Sequence, residues 1–280
     1  MLETRDLTIR FGGHVAVNAV TCRFEPGTLT AIVGPNGAGK TTYFNLISGQ
    51  LKASAGSVHL GGQDLSSLSP SARTKAGLGR AFQLTNLFPN LSVLENVRLA
   101  VQAVQNKPPR SLASRSALPP KGVLFCLGAA RQQKTGLNLW SIWSDHHGLT
   151  NRALALLESV AMADKQHMPV ASLPHGDQRK LEVALLMALD PEVYMFDEPT
   201  AGMSHDEAPV ILNLIRELKK DKTKTILLVE HKMDVVRELA DRIIVLTNGT
   251  LVADGEPAEV IASPVVQEAY LGVSKEEAEA

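Results

Sequence analysis

The feature that most constrains this 280-residue chain is the run Gly34-Pro-Asn-Gly-Ala-Gly-Lys40-Thr41-Thr42, set directly after an apolar stretch, residues 29–33. A strand passing into a helix through this spacing reads as a phosphate-binding loop. Gly34, Gly37 and Gly39 let the backbone curl, so that its N–H groups converge on polyphosphate oxygens. A helix opening at Lys40 adds free amides and the positive end of its dipole. Lys40 supplies a charge for the β- and γ-phosphates and Thr41 a hydroxyl for Mg²⁺, with Asn36, Ala38 and Thr42 completing the cradle. The motif predicts a chain that takes a nucleoside triphosphate.

Composition narrows the context. With 28 basic and 29 acidic residues the net charge is −1, which gives no overall pull toward nucleic acid or anionic lipid. Cys22 and Cys126 lie far apart and form no metal spacing, so the chain reads as reduced and cytosolic. No apolar run reaches the length of a membrane helix, and the N-terminal residues lack the apolar core of a signal peptide. Membrane association is therefore expected to go through a partner.

Strands alternate with helices along most of the chain. Residues 7–11, 15–17 and 58–60 read as short strands separated by Gly12-Gly13, Glu25-Pro-Gly27 and Gly61-Gly62. Ser92-x-x-Glu95 predicts a helix start, and residues 152–161, 208–219 and 233–239 predict further helices. Residues 193–196, 225–229, 243–246 and 250–253 predict strands, the last two joined by the hairpin turn Asn248-Gly249. Such alternation implies a mostly parallel sheet with active groups at the strands' C-terminal ends. Residues 105–148 are the least legible part; Trp140 and Trp143 there read as one buried helix face.

The strand at 193–196 runs into Asp197-Glu198. A carboxylate fixed at a buried strand end suits Mg²⁺ through its water shell, which we assign to Asp197. Alternation turns Glu198 the other way, toward an attacking water that it orients or deprotonates. His231, after the strand at 225–229, is placed to donate to the γ-phosphate.

Together these residues resemble the nucleotide-binding subunits of ATP-binding cassette (ABC) transporters, over nearly the whole chain. Residues 34–42 look like the Walker A motif and 193–198 like Walker B with its catalytic glutamate. Gln83, in Arg80-Ala-Phe-Gln83, resembles the Q-loop glutamine that senses Mg²⁺ and the attacking water. His231 resembles the switch histidine, and Phe11 the aromatic that stacks on adenine. Leu173-Pro174-His175-Gly176-Asp177-Gln178 aligns with the LSGGQ signature, whose helix N-terminus faces the ATP of an opposing subunit. It departs from that pattern where Pro174 stands in place of serine, with His175 as the replacement donor. The D-loop departs too, ending in Ser204 where aspartate is common.

The resemblance implies an α/β P-loop NTPase fold: a RecA-like core with an antiparallel β subdomain and an inserted α-helical subdomain. The expected division is core at 1–88 and 185–250, helical insertion at 89–184 and C-terminal extension at 251–280. It further implies ATP and Mg²⁺ as cofactors and ATP hydrolysis as the reaction. The implied partners are a second ATPase subunit, identical or different, membrane permease subunits and, through them, a periplasmic solute-binding protein, with no nucleic acid. The chain would sit at the cytoplasmic face of the inner membrane. The strings at 11–17, 80–83, 230–231 and 269–272 look most like importers of branched-chain amino acids or related amides. An exporter subunit, a soluble ABC protein acting on DNA or the ribosome, and a regulatory ATP-binding partner remain alternatives at this stage.

Overall fold

The computed structural model describes residues 1–81, 87–105, 147–204, 206–264 and 266, with only the backbone at 105 and 147. Gln83, Cys126, Trp140, Trp143 and the string at 269–272 lie outside these residues. Among the described residues ten strands form two sheets. The first is antiparallel and four-stranded, built from β1 (Leu2–Phe11), β2 (His14–Phe24), β4 (Ala55–Leu60) and β5 (Gln63–Asp64) in the order β2-β1-β4-β5. The second is six-stranded and holds β3 (Leu29–Val33), β6 (Leu78–Arg80), β7 (Val193–Asp197), β8 (Thr225–Val229), β9 (Arg242–Thr247) and β10 (Thr250–Gly255). Its order is β10-β9-β3-β8-β7-β6, parallel except for the β9–β10 hairpin.

Why β3, β7 and β8 carry apolar side chains on both faces follows from what covers them. Along β8, Ile226 and Leu228 pack into one cluster while Leu227 and Val229 pack into another. Along β7, Tyr194 and Phe196 face the first and Val193 and Met195 the second. Side chains alternate across a strand, so a sheet covered on both faces has no polar side.

The second cluster is where α1 (Lys40–Ser48) lies. Its Tyr43, Phe44, Leu46 and Ile47 pack with Leu7, Phe24 and Val58 of the antiparallel sheet and with Ile32 and Ile244 of the parallel one. Each such side chain contributes roughly 1.5–3 kcal/mol on full burial. Clamping α1 between two sheets fixes the loop from which it starts.

The opposite face is covered by α3 (Val93–Gln105), α4 (His147–Ser159), α5 (His175–Leu189) and α6 (Ala208–Lys220). The Ser92 start of α3 forms a reciprocal capping box: the Glu95 amide donates to Ser92 Oγ at 3.2 Å, and the Ser92 amide to Glu95 Oε2 at 2.8 Å. Of the remaining helices, α7 (Met233–Leu239) was read from the sequence, whereas α2 (Pro70–Ala76) and α8 (Pro257–Ala262) were not. Strand β6 was also missed, because three residues carry no period.

Candidate functional site

The phosphate loop joins β3 to α1, and its three glycines have φ of 152°, 79° and 94° at Gly34, Gly37 and Gly39. Gly39 is the N-cap of α1, and a Cβ there would lie 2.5 Å from the Ala16 carbonyl oxygen. The loop is buttressed by a feature that reads in the sequence only as a hairpin. The Gly249 amide donates to the Ala38 carbonyl at 3.0 Å, and the Asn18 amide to the Gly249 carbonyl at 2.8 Å. The Asn248-Gly249 turn thus ties the phosphate loop to β2.

The Lys40 side chain folds back into the loop and donates to the carbonyls of Gly34 at 2.7 Å and Pro35 at 2.9 Å. Burial pushes its pKa down, an effect opposed by the charges of Glu198 and Asp197. Lys40, Asn36, Gly37, Ala38, Gly39, Thr41 and Thr42 line a cleft of about 270 Å³ together with His14, Ala16, Glu198 and His231. Three chain segments far apart in sequence therefore deliver a cation, a carboxylate and an imidazole to one cavity.

Glu198 reaches that cavity by a different route from the alternation expected. Strand β7 stops at Asp197, and Glu198 takes a left-handed φ of 50° while its amide donates to the Val229 carbonyl at 2.9 Å. Such a conformation costs a non-glycine residue on the order of 1–3 kcal/mol, and it tends to mark functional turns. The turn, not the pleat, aims the carboxylate. Glu198 Oε1 lies 2.7 Å from His231 Nε2, with both side chains about 40% exposed.

His231 is held from behind by Glu230, which is buried. The Glu230 carboxylate accepts from the Thr200 hydroxyl at 2.8 Å and from the His231 amide at 2.9 Å. Asp197 is engaged as well: its Oδ2 accepts from Arg80 Nη2 at 2.6 Å. Neither Glu230 nor Arg80 was given a role in the site from the sequence, although both fall in the strings that carry the resemblance. A carboxylate next to a histidine and an arginine ending a three-residue strand have no periodic signal.

Phe11 ends β1 and pairs across the hairpin with His14. Phe11 is 50% exposed, and His14 rather than Phe11 is among the residues lining the cleft. Pro174, His175, Gly176 and Asp177 do not line that cleft. They form the start of α5, with Pro174 as N-cap, Pro174 and His175 exposed, and Gly176 and Asp177 buried. Asp177 accepts from Lys165 at 2.5 Å and Lys180 at 3.2 Å. A Cβ on Gly176 would lie 2.5 Å from Glu207 Oε1, so a larger residue here would displace the carboxylate that accepts from the Ser204 amide and hydroxyl at 3.2 and 3.1 Å.

Known proteins share this architecture. Residues 17–201 match the family model described as ABC transporter, and residues 250–276 match one described as branched-chain amino acid ATP-binding cassette transporter. The chain is 36% identical over 272 residues to the high-affinity branched-chain amino acid transport ATP-binding protein LivG of Escherichia coli K12, covering 97% of this chain and 98% of that protein. It is 32% identical, with the same coverage, to the protein BraF of Pseudomonas aeruginosa, which carries the same description. Among solved structures, a nucleotide-free ATP-binding cassette from an ABC transporter superposes with a TM-score of 0.73 at 26% identity, over 98% of this chain and 99% of that one. A cassette in its ADP conformation also gives 0.73, at 27% identity and the same coverage.

Proposed function

The chain belongs to the ABC transporter family, and from that premise we propose that it hydrolyses ATP to drive import of branched-chain or related amino acids. The observation that carries the reading is the meeting of Lys40, Glu198 and His231 in one cleft, with Glu198 and His231 2.7 Å apart. Lys40 and the loop amides hold the terminal phosphates. Glu198 takes a proton from water as the water oxygen bonds the γ-phosphorus and the bond to the ADP oxygen breaks. His231, oriented by Glu230, stabilises the transferring group and fixes the Glu198 carboxylate. Phosphoryl transfer asks mainly for positioning and charge neutralisation, which these residues supply.

The Thr41 hydroxyl and the Asp197 carboxylate are hard oxygen donors, the kind that Mg²⁺ accepts in ones and twos while keeping several waters. When bound, Mg²⁺ would neutralise negative charge on the phosphates, held by Thr41 and, through its water shell, by Asp197. Gln83 is assigned here to the water and the metal, and Phe11 to stacking on adenine.

Pro174, His175, Gly176 and Asp177 are assigned to the ATP held by a second ATPase subunit. The separation of the α5 N-terminus from the phosphate-loop cleft supports that reading, since one chain does not bring the two halves together. The division into core, helical insertion and C-terminal extension belongs to the same proposal. No helix among the described residues is long and apolar enough to cross a membrane; attachment to the cytoplasmic face is assigned to permease subunits as part of the same proposal. Their contact falls in the segment 84–96. There the buried Asn96 side chain pins the backbone of Phe88, accepting from its amide at 2.9 Å and donating to its carbonyl at 3.2 Å, while Phe88 itself is 55% exposed. A periplasmic binding protein would deliver the solute to those permeases.

Glu198→Gln tests the assignment. Hydrolysis should fall by about 10²–10⁴-fold while ATP binding persists and a closed dimer accumulates, read by turnover, nucleotide titration and size-exclusion light scattering. Unchanged turnover would remove Glu198 from its role.

A further inference from the structure

Arg80 is the last residue of β6, the edge strand of the parallel sheet, and its side chain is 3% exposed. Its guanidinium joins three elements. One terminal nitrogen, Nη1, donates to Asn45 Oδ1 at 2.7 Å and to Ser48 Oγ at 3.0 Å, both on α1. The other, Nη2, donates to Asp197 Oδ2 at 2.6 Å. The plane also lies 5.4 Å from the centre of the Phe44 ring, again on α1.

A buried ion pair is a poor device for stability alone, because desolvation offsets most of the attraction and apolar replacements often do as well. What such a pair gives is orientation. A planar fork engaged on both nitrogens fixes where its carboxylate partner sits, as a lysine ammonium does not. Here the partner is the carboxylate assigned to the Mg²⁺ water shell, and the anchor is the helix that opens with Lys40 and Thr41.

We propose that Arg80 is a positioning residue for the metal site: it holds Asp197 by one oxygen against α1, leaving the other oxygen to the metal's water shell. This rests on the assignment of Asp197 to Mg²⁺ made above. Groups that orient metal ligands in this way typically change metal affinity by about 10–100-fold when altered. Arg80→Lys keeps the positive charge but loses the fork, so it separates orientation from electrostatics. Asn45→Ala removes an anchor of the guanidinium without opening the ion pair, and serves where Arg80→Lys fails to fold.

The test measures Mn²⁺ affinity of the full chain with ATP by electron paramagnetic resonance, in the non-hydrolysing Glu198→Gln background. The Mg²⁺ concentration for half-maximal hydrolysis is measured separately with Glu198 intact. Arg80→Lys should weaken metal binding by about tenfold and Asn45→Ala by about threefold, with ATP affinity in EDTA unchanged. Metal affinity equal to the parent in both variants would overturn the proposal, even if thermal stability fell. Asp197→Asn distinguishes the two levels of failure. If it leaves Mn²⁺ binding intact, the metal assignment falls and the role of Arg80 with it; if it alone weakens binding, only the positioning role is refuted.

Discussion

The phosphate loop and the signature helix both present a helix N-terminus, but they use their side chains in different ways. At the loop, the sheet and α1 carry the structural load, and the groups around the cleft keep free surface: Thr41, Glu198 and His231 all reach solvent. At the start of α5 the side chains carry the load themselves. Asp177 is locked by Lys165 and Lys180, and Gly176 lies under Glu207, which also binds Ser204 and lies 3.5 Å from Lys180. The backbone amides, the exposed Pro174 and His175 and the half-buried Gln178 are left to meet a ligand. Under the proposed assignment, proline in place of the usual serine leaves the amides and dipole of the helix end, which are what attract phosphate.

The contrast is sharpest for Lys40. Lys40→Ala removes a buried cation whose structural bonds go only to its own loop. A charge-assisted hydrogen bond is worth up to about 3 kcal/mol, so ATP affinity should fall by about a hundredfold while the melting temperature changes little. Nucleotide titration and calorimetry on one sample decide it. Normal titration would count against the loop assignment, and a large loss of stability would break the comparison.

The reverse pattern is expected at Asp177. Asp177→Ala leaves two lysines without their shared carboxylate, one of them, Lys180, buried. The cost should be about 2 kcal/mol, below that of a fully buried pair because Lys165 is partly exposed. ATP binding to the isolated chain should be unaffected, since Asp177 lies outside the phosphate-loop cleft. Chemical denaturation with and without ATP measures both.

How much of this was legible beforehand follows the same divide. Strands covered on both faces announce themselves as apolar runs, and β8 was read to the residue, as was α7. The phosphate loop was legible because its chemistry is local: one strand, one turn and one helix carry it. The β9–β10 turn was legible as Asn-Gly, but not its bond to Ala38, which joins residues more than two hundred positions apart. Arg80 and Glu230 escaped for that reason: each acts through a partner distant in sequence, Asp197 and Thr200. The left-handed turn at Glu198 escaped because nothing about glutamate favours positive φ. At the signature, the helix start was legible, but the commitment of Asp177 and Gly176 to internal contacts was not, because it depends on Lys165 and Glu207 from neighbouring segments.

The smallest expected effect is a pH dependence, and it belongs to the signature side. Burial by itself would raise the Asp177 carboxyl, but hydrogen bonds from Lys165 and Lys180 outweigh it and hold the group below its ordinary value. The unfolded chain, where aspartate titrates near about 3.9, therefore takes up the proton first as the solution is acidified. Stability from this contact is complete above that value and is lost as pH falls through the lower, folded one. Asp177→Asn removes the titration while keeping the shape. The stability gap between parent and variant, from urea unfolding, should be constant above about pH 5 and shrink below about pH 4. A gap that does not narrow on acidification would show that the two lysines do not hold a charged Asp177, and the α5 terminus would then owe its position to Glu207 and backbone packing instead.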